Sequence, residues 1–432
     1  MNPDFYIFGT PLLLTLSAYF FWQWRTNNSA RKRLAYSVNS GMGDPVSLHP
    51  LIDPAKCMGC GACVSACPEG DILGLINRKA ELVAPAECIG HGACREACPT
   101  EAISLVFGSE TRGVDIPLLS PEFETSMPGI FIAGELGGMG LIRNAITQGT
   151  QAIEAIAKKL PKKHDCDYDI IIVGAGPAGL SAALQAKKMK LKFKILEQDT
   201  VGGTLAHYPR GKMVMSQPAK LPIVGEFYYR EASKEQLIDF WHDAIRKGDL
   251  QIQSNTRVDD IKNREQGFNI VTNKGELSTH NVLLTLGRRG TPRRLDVAGE
   301  DLEKVVYRLI DPEQYIGRKV LVVGGGDSAM EAATSIAKQP GTETTLSYRS
   351  ETFARPKAIN RDKVLAAQAS GRLNVRLNTE VKEIKLNSVV LESHGEIIEI
   401  PNDFVVVCAG GLLPTPFLRK VGIEVEEKFG TA

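Results

Sequence analysis

Cys57, Cys60, Cys63 and Cys67, closed by Pro68, stand at the spacing C-x2-C-x2-C-x3-C-P. Residues 88 to 99 repeat the frame as Cys88, Cys94, Cys98 and Pro99, with His91 where the second cysteine is due. Thiolates gather around soft metals and imidazole is a common alternative ligand, so all eight residues are read as metal ligands. Seven of the nine cysteines fall in these two frames, which in a chain of 432 residues argues for metal sites in a reducing compartment rather than a disulfide framework. Zinc sites seldom run four cysteines so tightly in one segment, and the chemistry expected is therefore iron–sulfur.

A second chemistry is written in glycine. From Asp169, DIIIVGAGPAGLSAALQA reads as a β-branched strand, then Gly174-x-Gly176-x-x-Gly179, then a helix. Such glycines permit a tight turn, close approach of the backbone to a pyrophosphate and close helix packing, while the helix N-terminus faces the anion. The next strand, KFKILE, ends at Glu197, where a carboxylate can accept hydrogen bonds from ribose hydroxyls. From Lys319, KVLVVGGGDSAMEAATSIA repeats the pattern with Gly324, Gly326 and Ala329. Its following strand, ETTLSYRS, carries no terminal acid; Arg349, with Arg355 six residues on, suits a 2′-phosphate, which favours NADP over NAD.

These groups need elements to position them. Strands alternate with helices from residue 166 to the end, which predicts an α/β architecture with parallel, doubly wound sheets. The cysteine frames occupy residues 49–107, a length suited to one small α+β domain. Before them, FYIFGTPLLLTLSAYFFWQW (5–24) runs without a charge, about one bilayer crossing. Aromatic residues crowd its ends, and Arg25, Arg31, Lys32 and Arg33 follow. This predicts a single-pass inner-membrane anchor with the remaining chain on the cytoplasmic side, and residues 25–48 as a basic juxtamembrane linker. Charge is balanced, 51 Lys and Arg against 50 Asp and Glu, so nothing points to nucleic acid as a partner.

The cysteine frames resemble those of two-cluster bacterial ferredoxins, in which the last cysteine of each run serves the other cluster. That resemblance assigns Cys57, Cys60, Cys63 and Cys98 to one 4Fe-4S cluster. Cys88, Cys94 and Cys67 fall to the second, a 4Fe-4S or 3Fe-4S centre, with His91 at the vacant corner. His91 either binds iron, stands beside a three-iron cluster, or leaves a four-iron cluster one exchangeable site.

The paired dinucleotide motifs resemble the thioredoxin-reductase-like branch of the two-dinucleotide-binding-domain flavoproteins. The resemblance implies FAD at Gly174, Gly176, Gly179 and Glu197 with the Gly202–Gly203 turn beyond, a crossover near Gly287, and the nicotinamide nucleotide at Gly324. The loop HYPRGKMVMSQPAK is most like bacillithiol-disulfide-reductase-like members. Thioredoxin reductases carry a redox C-x-x-C in the NADPH domain; residues 290 to 400 here hold no cysteine, which excludes a dithiol relay there. Cys166 and Cys408 are read as small buried residues.

The family also closes its FAD domain with a C-terminal strand and helix, and this chain ends before that element is due. TSMPGIFIAGELGGMGLIRNAITQGTQAIEAIA (125–157) resembles it, with Gly134 and Glu135 in place of the usual Gly-Asp. A circularly permuted FAD domain is implied, with Glu135 at the ribityl chain and a helix from near Gly137 aimed at the flavin. The expected order is residues 113–160 as the closing segment, 166–289 for FAD, 290–408 for NAD(P), and 409–432 returning to the FAD domain.

The expected function is hydride transfer from NAD(P)H to FAD, followed by single-electron transfer through the clusters. The expected partners are NAD(P)H, an electron-carrier protein or membrane redox complex, the membrane, and a second copy of the chain as a homodimer. A flavin-dependent reductase of small disulfides and a non-enzymatic membrane-tethered redox sensor are the alternatives.

Overall fold

The computed structural model describes residues 10–45, 48–110, 113–138, 140–161, 165–208, 210, 212–215, 218–228, 231–288, 291–353 and 356–430. These fall into two units, one essentially residues 1–114, the other residues 115–351 and 359–427.

In the first unit, the duplicated cysteine frame becomes a duplicated fold. Strand β1 (His49–Ile52) pairs antiparallel with β4 (Ile103–Val106), and β2 (Leu73–Ile76) with β3 (Lys79–Leu82). The β2–β3 turn is Asn77-Arg78, both at positive φ, as the right-handed twist of a two-residue hairpin demands. Two short helices, α2 (Ala62–Ala66) and α3 (Ala93–Glu96), each begin inside a cysteine frame.

Ahead of them runs α1 (Thr10–Asn39), and here two expectations are corrected. Residues 5–9 of the apolar run lie outside the described residues. Among the described residues, no helix is long and apolar enough to cross a membrane. Thr10, Thr15, Ser17 and Gln23 interrupt the run ahead of Arg25 and lower its apolar character. With the anchor falls the inner-membrane location that rested on it. The basic segment is not a linker either, because α1 continues through it to Asn39. Arg33 pairs with Asp71 at 3.3 Å and Glu87 at 3.1 Å, and Arg31 donates to Asn77 at 2.6 Å. Ala30 packs with Ile76 and Val83, and buried Ser37 donates to the Val83 carbonyl at 2.8 Å.

In the second unit, the β-branched run Ile170–Val173 is fully apolar because it is covered on both faces. It lies in β6 (Tyr168–Val173), part of a seven-stranded sheet. Its other members are β5 (Ile130–Ile132), β7 (Phe193–Leu196), β8 (Ile252–Gln253), β9 (Val258–Asn263), β10 (Phe268–Thr272) and β11 (Gly275–Leu284). The order is β8-β7-β6-β11-β10-β9, with β5 also on β11. Strand β11 pairs along β6 on one edge. On its other edge it pairs antiparallel with β10 over its first half and parallel with β5 over Val282 to Leu284.

Helices α4 (Ile142–Lys159) and α5 (Pro177–Lys188) pack against each other on one face of this sheet. The contact is close because Gly149 of α4 has no Cβ, which would stand 2.2 Å from the Ala178 carbonyl oxygen. Thr150 and Ser181 share a 2.8 Å hydroxyl contact across it, and Ser181 donates to the Ile146 carbonyl at 2.7 Å.

A second, all-parallel sheet is built from β12 (Val305–Val306), β13 (Lys319–Val323), β14 (Glu343–Ser347), β15 (Leu373–Arg376) and β16 (Phe404–Val407), in the order β12-β16-β13-β14-β15. Helix α6 (Asp327–Ile336) follows β13. The chain enters and leaves this region by paired crossovers, Thr291–Pro292 lying antiparallel to Gly411–Leu412. After the return, Leu418, Val421 and Ile423 bury their side chains among Ile130, Ile132 and Leu284 of the first sheet.

Candidate functional site

The cysteine loops are shaped by glycine. Gly59 (φ +72°) and Gly90 (φ +73°) occupy equivalent places in the two frames, and a Cβ there would stand 1.9 Å from the Arg78 carbonyl oxygen and 2.5 Å from that of Leu48. Cys57, Cys60, Cys63 and Cys98 line one recess together with Ile52 and Ile103. Among the described residues, no three His, Cys, Asp or Glu side chains converge tightly enough for a single metal ion. Four sulfurs around a volume, rather than around a point, fit a polynuclear iron–sulfur cluster.

The thiols are tuned by burial and by amide donors. Burial pushes Cys63 up to about 11, helped by nearby Cys57, and Cys94 up to about 11, helped by Cys88 and Cys67. Cys67 and Cys88 are also raised, first by burial. Cys98 goes the other way. Burial pulls it upward, but the Thr100 hydroxyl at 3.6 Å and the Ala102 amide at 3.3 Å more than offset this and favour the thiolate. Raised thiols must lose their protons to bind metal, so assembly releases protons and is favoured by rising pH. Cys94 is the sulfur that feels both frames: Cys88 and Cys67 raise it, and it raises Cys63 in turn. His91 joins them, its Nε2 lying 4.0 Å from the Cys67 sulfur.

In the second unit the first glycine motif forms a cradle. A Cβ on Gly174 (φ +110°) would stand 2.6 Å from the Thr285 carbonyl oxygen, and one on Gly179 would stand 2.0 Å from the Gly174 carbonyl oxygen. Both glycines are needed for α5 to start hard against the strand ends. A Cβ on Gly176, by contrast, would meet only the Gly203 Cα, at 4.0 Å, so two side-chain-free loops touch at the start of α5, where this motif leaves backbone open to a pyrophosphate. The Gly202 amide ties them by donating to the Ala175 carbonyl at 3.0 Å. Glu197 is buried and accepts the Ala175 amide at 2.7 Å and the Asp199 amide at 2.9 Å, which fixes its carboxylate at the end of β7.

Residues 130–138 come to the same place. Gly134 lies against Ala178, 3.0 Å from its would-be Cβ, and its amide donates to the Gln148 side chain at 2.8 Å. The Glu135 carboxylate comes within 4.0 Å of the corresponding position on Gly287. The long helix does not begin near Gly137 as expected. A single 3₁₀ turn spans Glu135–Gly137, and α4 starts at Ile142, because Gly137, Gly138 and Gly140 are poor helix formers. Gln148, Gly149 and Thr285 were invisible as site residues in the sequence; only the glycine in mid-helix gave a signal.

At the second motif, a Cβ on Gly324 (φ +143°) would stand 2.3 Å from the Cys408 carbonyl oxygen, and Ala329 is buried. Gly326 opens onto free space at the start of α6. Arg349 is exposed just past β14, and Arg355 lies outside the described residues. Cys408 is only partly buried as a residue, contrary to expectation, but its thiol is held un-ionised, pushed up to about 12 by burial of the group and then by Glu331. Cys166 is only partly buried, contrary to expectation, its thiol 3.5 Å from the Gln266 carbonyl.

The two nucleotide motifs are bridged by charge. His207 lies 3.3 Å from Asp199 and hydrogen-bonds Arg308, and Lys212 pairs with Glu331 of α6 at 2.6 Å. Burial and then the Arg308 guanidinium hold His207 below the ordinary histidine range, although Asp199 opposes them.

A family model described as pyridine nucleotide-disulphide oxidoreductase matches residues 171–431, and one described as a 4Fe-4S dicluster domain matches residues 49–99. Bacilliredoxin reductase Bdr of Bacillus subtilis is 28% identical over 268 residues, 60% of this chain and 82% of that protein. A ferredoxin–NADP reductase of Streptococcus pneumoniae is 35% identical over 189 residues, 43% of this chain and 55% of that protein, so the match spans about half of that relative. Among solved structures, bacillithiol disulfide reductase Bdr from Staphylococcus aureus has a TM-score of 0.53 at 25% identity, covering 60% of this chain and 81% of that one. With more than half its length matched, and a 4Fe-4S dicluster domain ahead of that match, the chain belongs to the pyridine nucleotide-disulphide oxidoreductase family.

Proposed function

We propose that the protein couples oxidation of NAD(P)H at a bound FAD to one-electron exchange with a carrier protein, through two iron–sulfur clusters. When bound, FAD takes a hydride as an electron pair and passes electrons on singly, while each cluster carries one. The observation that carries this reading is the meeting of Gly176 with Gly203 beside Gly134 and Glu197, a dinucleotide cradle in a chain that also holds two cysteine frames.

The protein's own residues bind and orient. Gly174, Gly176 and Gly179 aim the start of α5 at the pyrophosphate; Glu197 accepts from the adenosine ribose; Gly202, Gly203 and Gly287 keep side chains away from the cofactor. Glu135 serves the ribityl chain. Residues 113–160 close the FAD domain within the same chain, a circular permutation supported by the β5–β11 pairing and by the Gly134–Ala178 approach. Gly324, Gly326 and Ala329 hold the nicotinamide nucleotide, with Arg349 and Arg355 on a 2′-phosphate. Cys57, Cys60, Cys63 and Cys98 hold one cluster, and Cys67, Cys88 and Cys94 the other. The ferredoxin–NADP reductase name of a relative supports a ferredoxin-like carrier as the partner.

Reduction of a small disulfide is the second reading, favoured by the match to bacilliredoxin reductase over 82% of its length. The purified protein, given NADPH without oxygen, is expected to reduce one-electron acceptors rapidly and low-molecular-weight disulfides negligibly. The reverse preference would establish the second reading.

A further inference from the structure

We propose that His91 does not bind iron but donates its Nε2–H to the Cys67 sulfur, leaving the second cluster held by the three thiolates of Cys67, Cys88 and Cys94. This rests on the module holding two clusters. Two contacts carry the inference, one on each ring nitrogen.

The backbone amide of Ala93 points at His91 Nδ1, 3.3 Å away. A backbone N–H can only donate, so Nδ1 must present its lone pair, and a neutral imidazole then carries its single proton on Nε2. Iron binding through Nε2 requires the opposite tautomer, with a proton on Nδ1 facing the Ala93 N–H. That arrangement loses the hydrogen bond and sets two protons against each other. Binding through Nδ1 would displace the Ala93 amide itself. The amide cannot readily turn aside, because Ala93 begins α3 and the Arg95 and Glu96 amides both return to the Gly92 carbonyl, at 3.0 and 3.2 Å.

The other nitrogen faces sulfur. His91 Nε2 lies 4.0 Å from Cys67 Sγ, at the outer edge of an N–H···S contact. Ligands at different irons of one cluster point outward from separate corners, so two donor atoms this close do not serve two corners. The loop holding the ring is fixed by Gly90 (φ +73°) and Gly92 (φ +84°), and a Cβ on Gly90 would strike the Leu48 carbonyl. His91 therefore acts as a positioning and tuning residue. Withdrawing charge from a cluster thiolate raises the potential of that cluster, so His91 sets the potential through Cys67 rather than through iron.

The test is pulsed EPR of the full-length protein labelled with 15N-histidine, in its oxidised and its reduced state, alongside iron and sulfide counts and redox titration of the native protein and His91→Ala. The expected result is a weak nitrogen coupling at the second cluster. In His91→Ala that cluster persists with a lowered potential, and the first is unchanged. A strong coupling from nitrogen bonded to iron would overturn the proposal, as would loss of only the second cluster in His91→Ala. The native spectrum decides the matter even where the variant fails to fold. An iron count of a single cluster would instead overturn the two-cluster reading, and this proposal with it.

Discussion

At the scale of the residue, the site depends on atoms that are absent. Gly179→Ala places a methyl group 2.0 Å from the Gly174 carbonyl oxygen, against backbone that has nowhere to move. The expected outcome is loss of about 2–3 kcal/mol of stability, of the order seen for overpacked cores, together with loss of bound flavin. Thermal melts and the flavin absorbance of the purified variant measure both. Gly149→Ala is expected to behave similarly for stability, because its Cβ would meet the Ala178 carbonyl. These two glycines differ in how legible they were. Gly179 sits in a motif whose spacing announces its purpose, whereas Gly149 is one small residue in an amphipathic helix, and its need arises only when α4 crosses α5. His91 shows the same limit from another side: its position in the frame is plain, but its tautomer is fixed by the direction of one amide, which no spacing reveals.

At the scale of the element, the crossover between the two sheets is organised by one buried carboxylate. Glu300 accepts from the Leu295 amide at 2.5 Å, the Asp296 amide at 2.8 Å, the Tyr307 hydroxyl at 2.6 Å and Arg294 at 3.4 Å. Burial raises its carboxyl, but these donors outweigh it and hold it below the ordinary glutamate range. A depressed carboxyl contributes stability that is present above its unfolded value and lost as pH falls through its folded one. Glu300→Gln is therefore expected to cost about 1–3 kcal/mol at neutral pH. The gap between the melting curves of variant and parent should close as the pH drops below about 4.3. A gap independent of pH would contradict the assignment. The N-terminal helix shows why element type outran element role in the sequence. A basic stretch after a charge-free run carries the same composition whether it faces lipid headgroups or pairs with protein. Only the positions of Asp71, Asn77 and Glu87, brought together by the β2–β3 hairpin, show that the arginines have protein partners.

At the scale of the whole molecule, both nucleotide motifs and both cysteine frames were legible because each is local, a few residues whose spacing alone implies a turn. The placement of residues 130–157 was legible only through resemblance, since it depends on β5 reaching β11 across some 150 residues of chain. The coenzyme choice is testable at this scale. Arg349→Ala is expected to raise KM for NADPH about 10- to 100-fold while leaving NADH nearly unchanged, the size of one or two charge-assisted hydrogen bonds to a phosphate. Equal effects on both coenzymes would remove Arg349 from the 2′-phosphate site. The most direct test of the central claim is an anaerobic rapid-mixing experiment on the full-length protein carrying flavin and clusters. NADPH is added, and flavin absorbance and freeze-quenched cluster EPR are followed together. The expected result is bleaching of the flavin followed by reduction of the clusters within the same turnover; a flavin that bleaches while the clusters stay oxidised would contradict it.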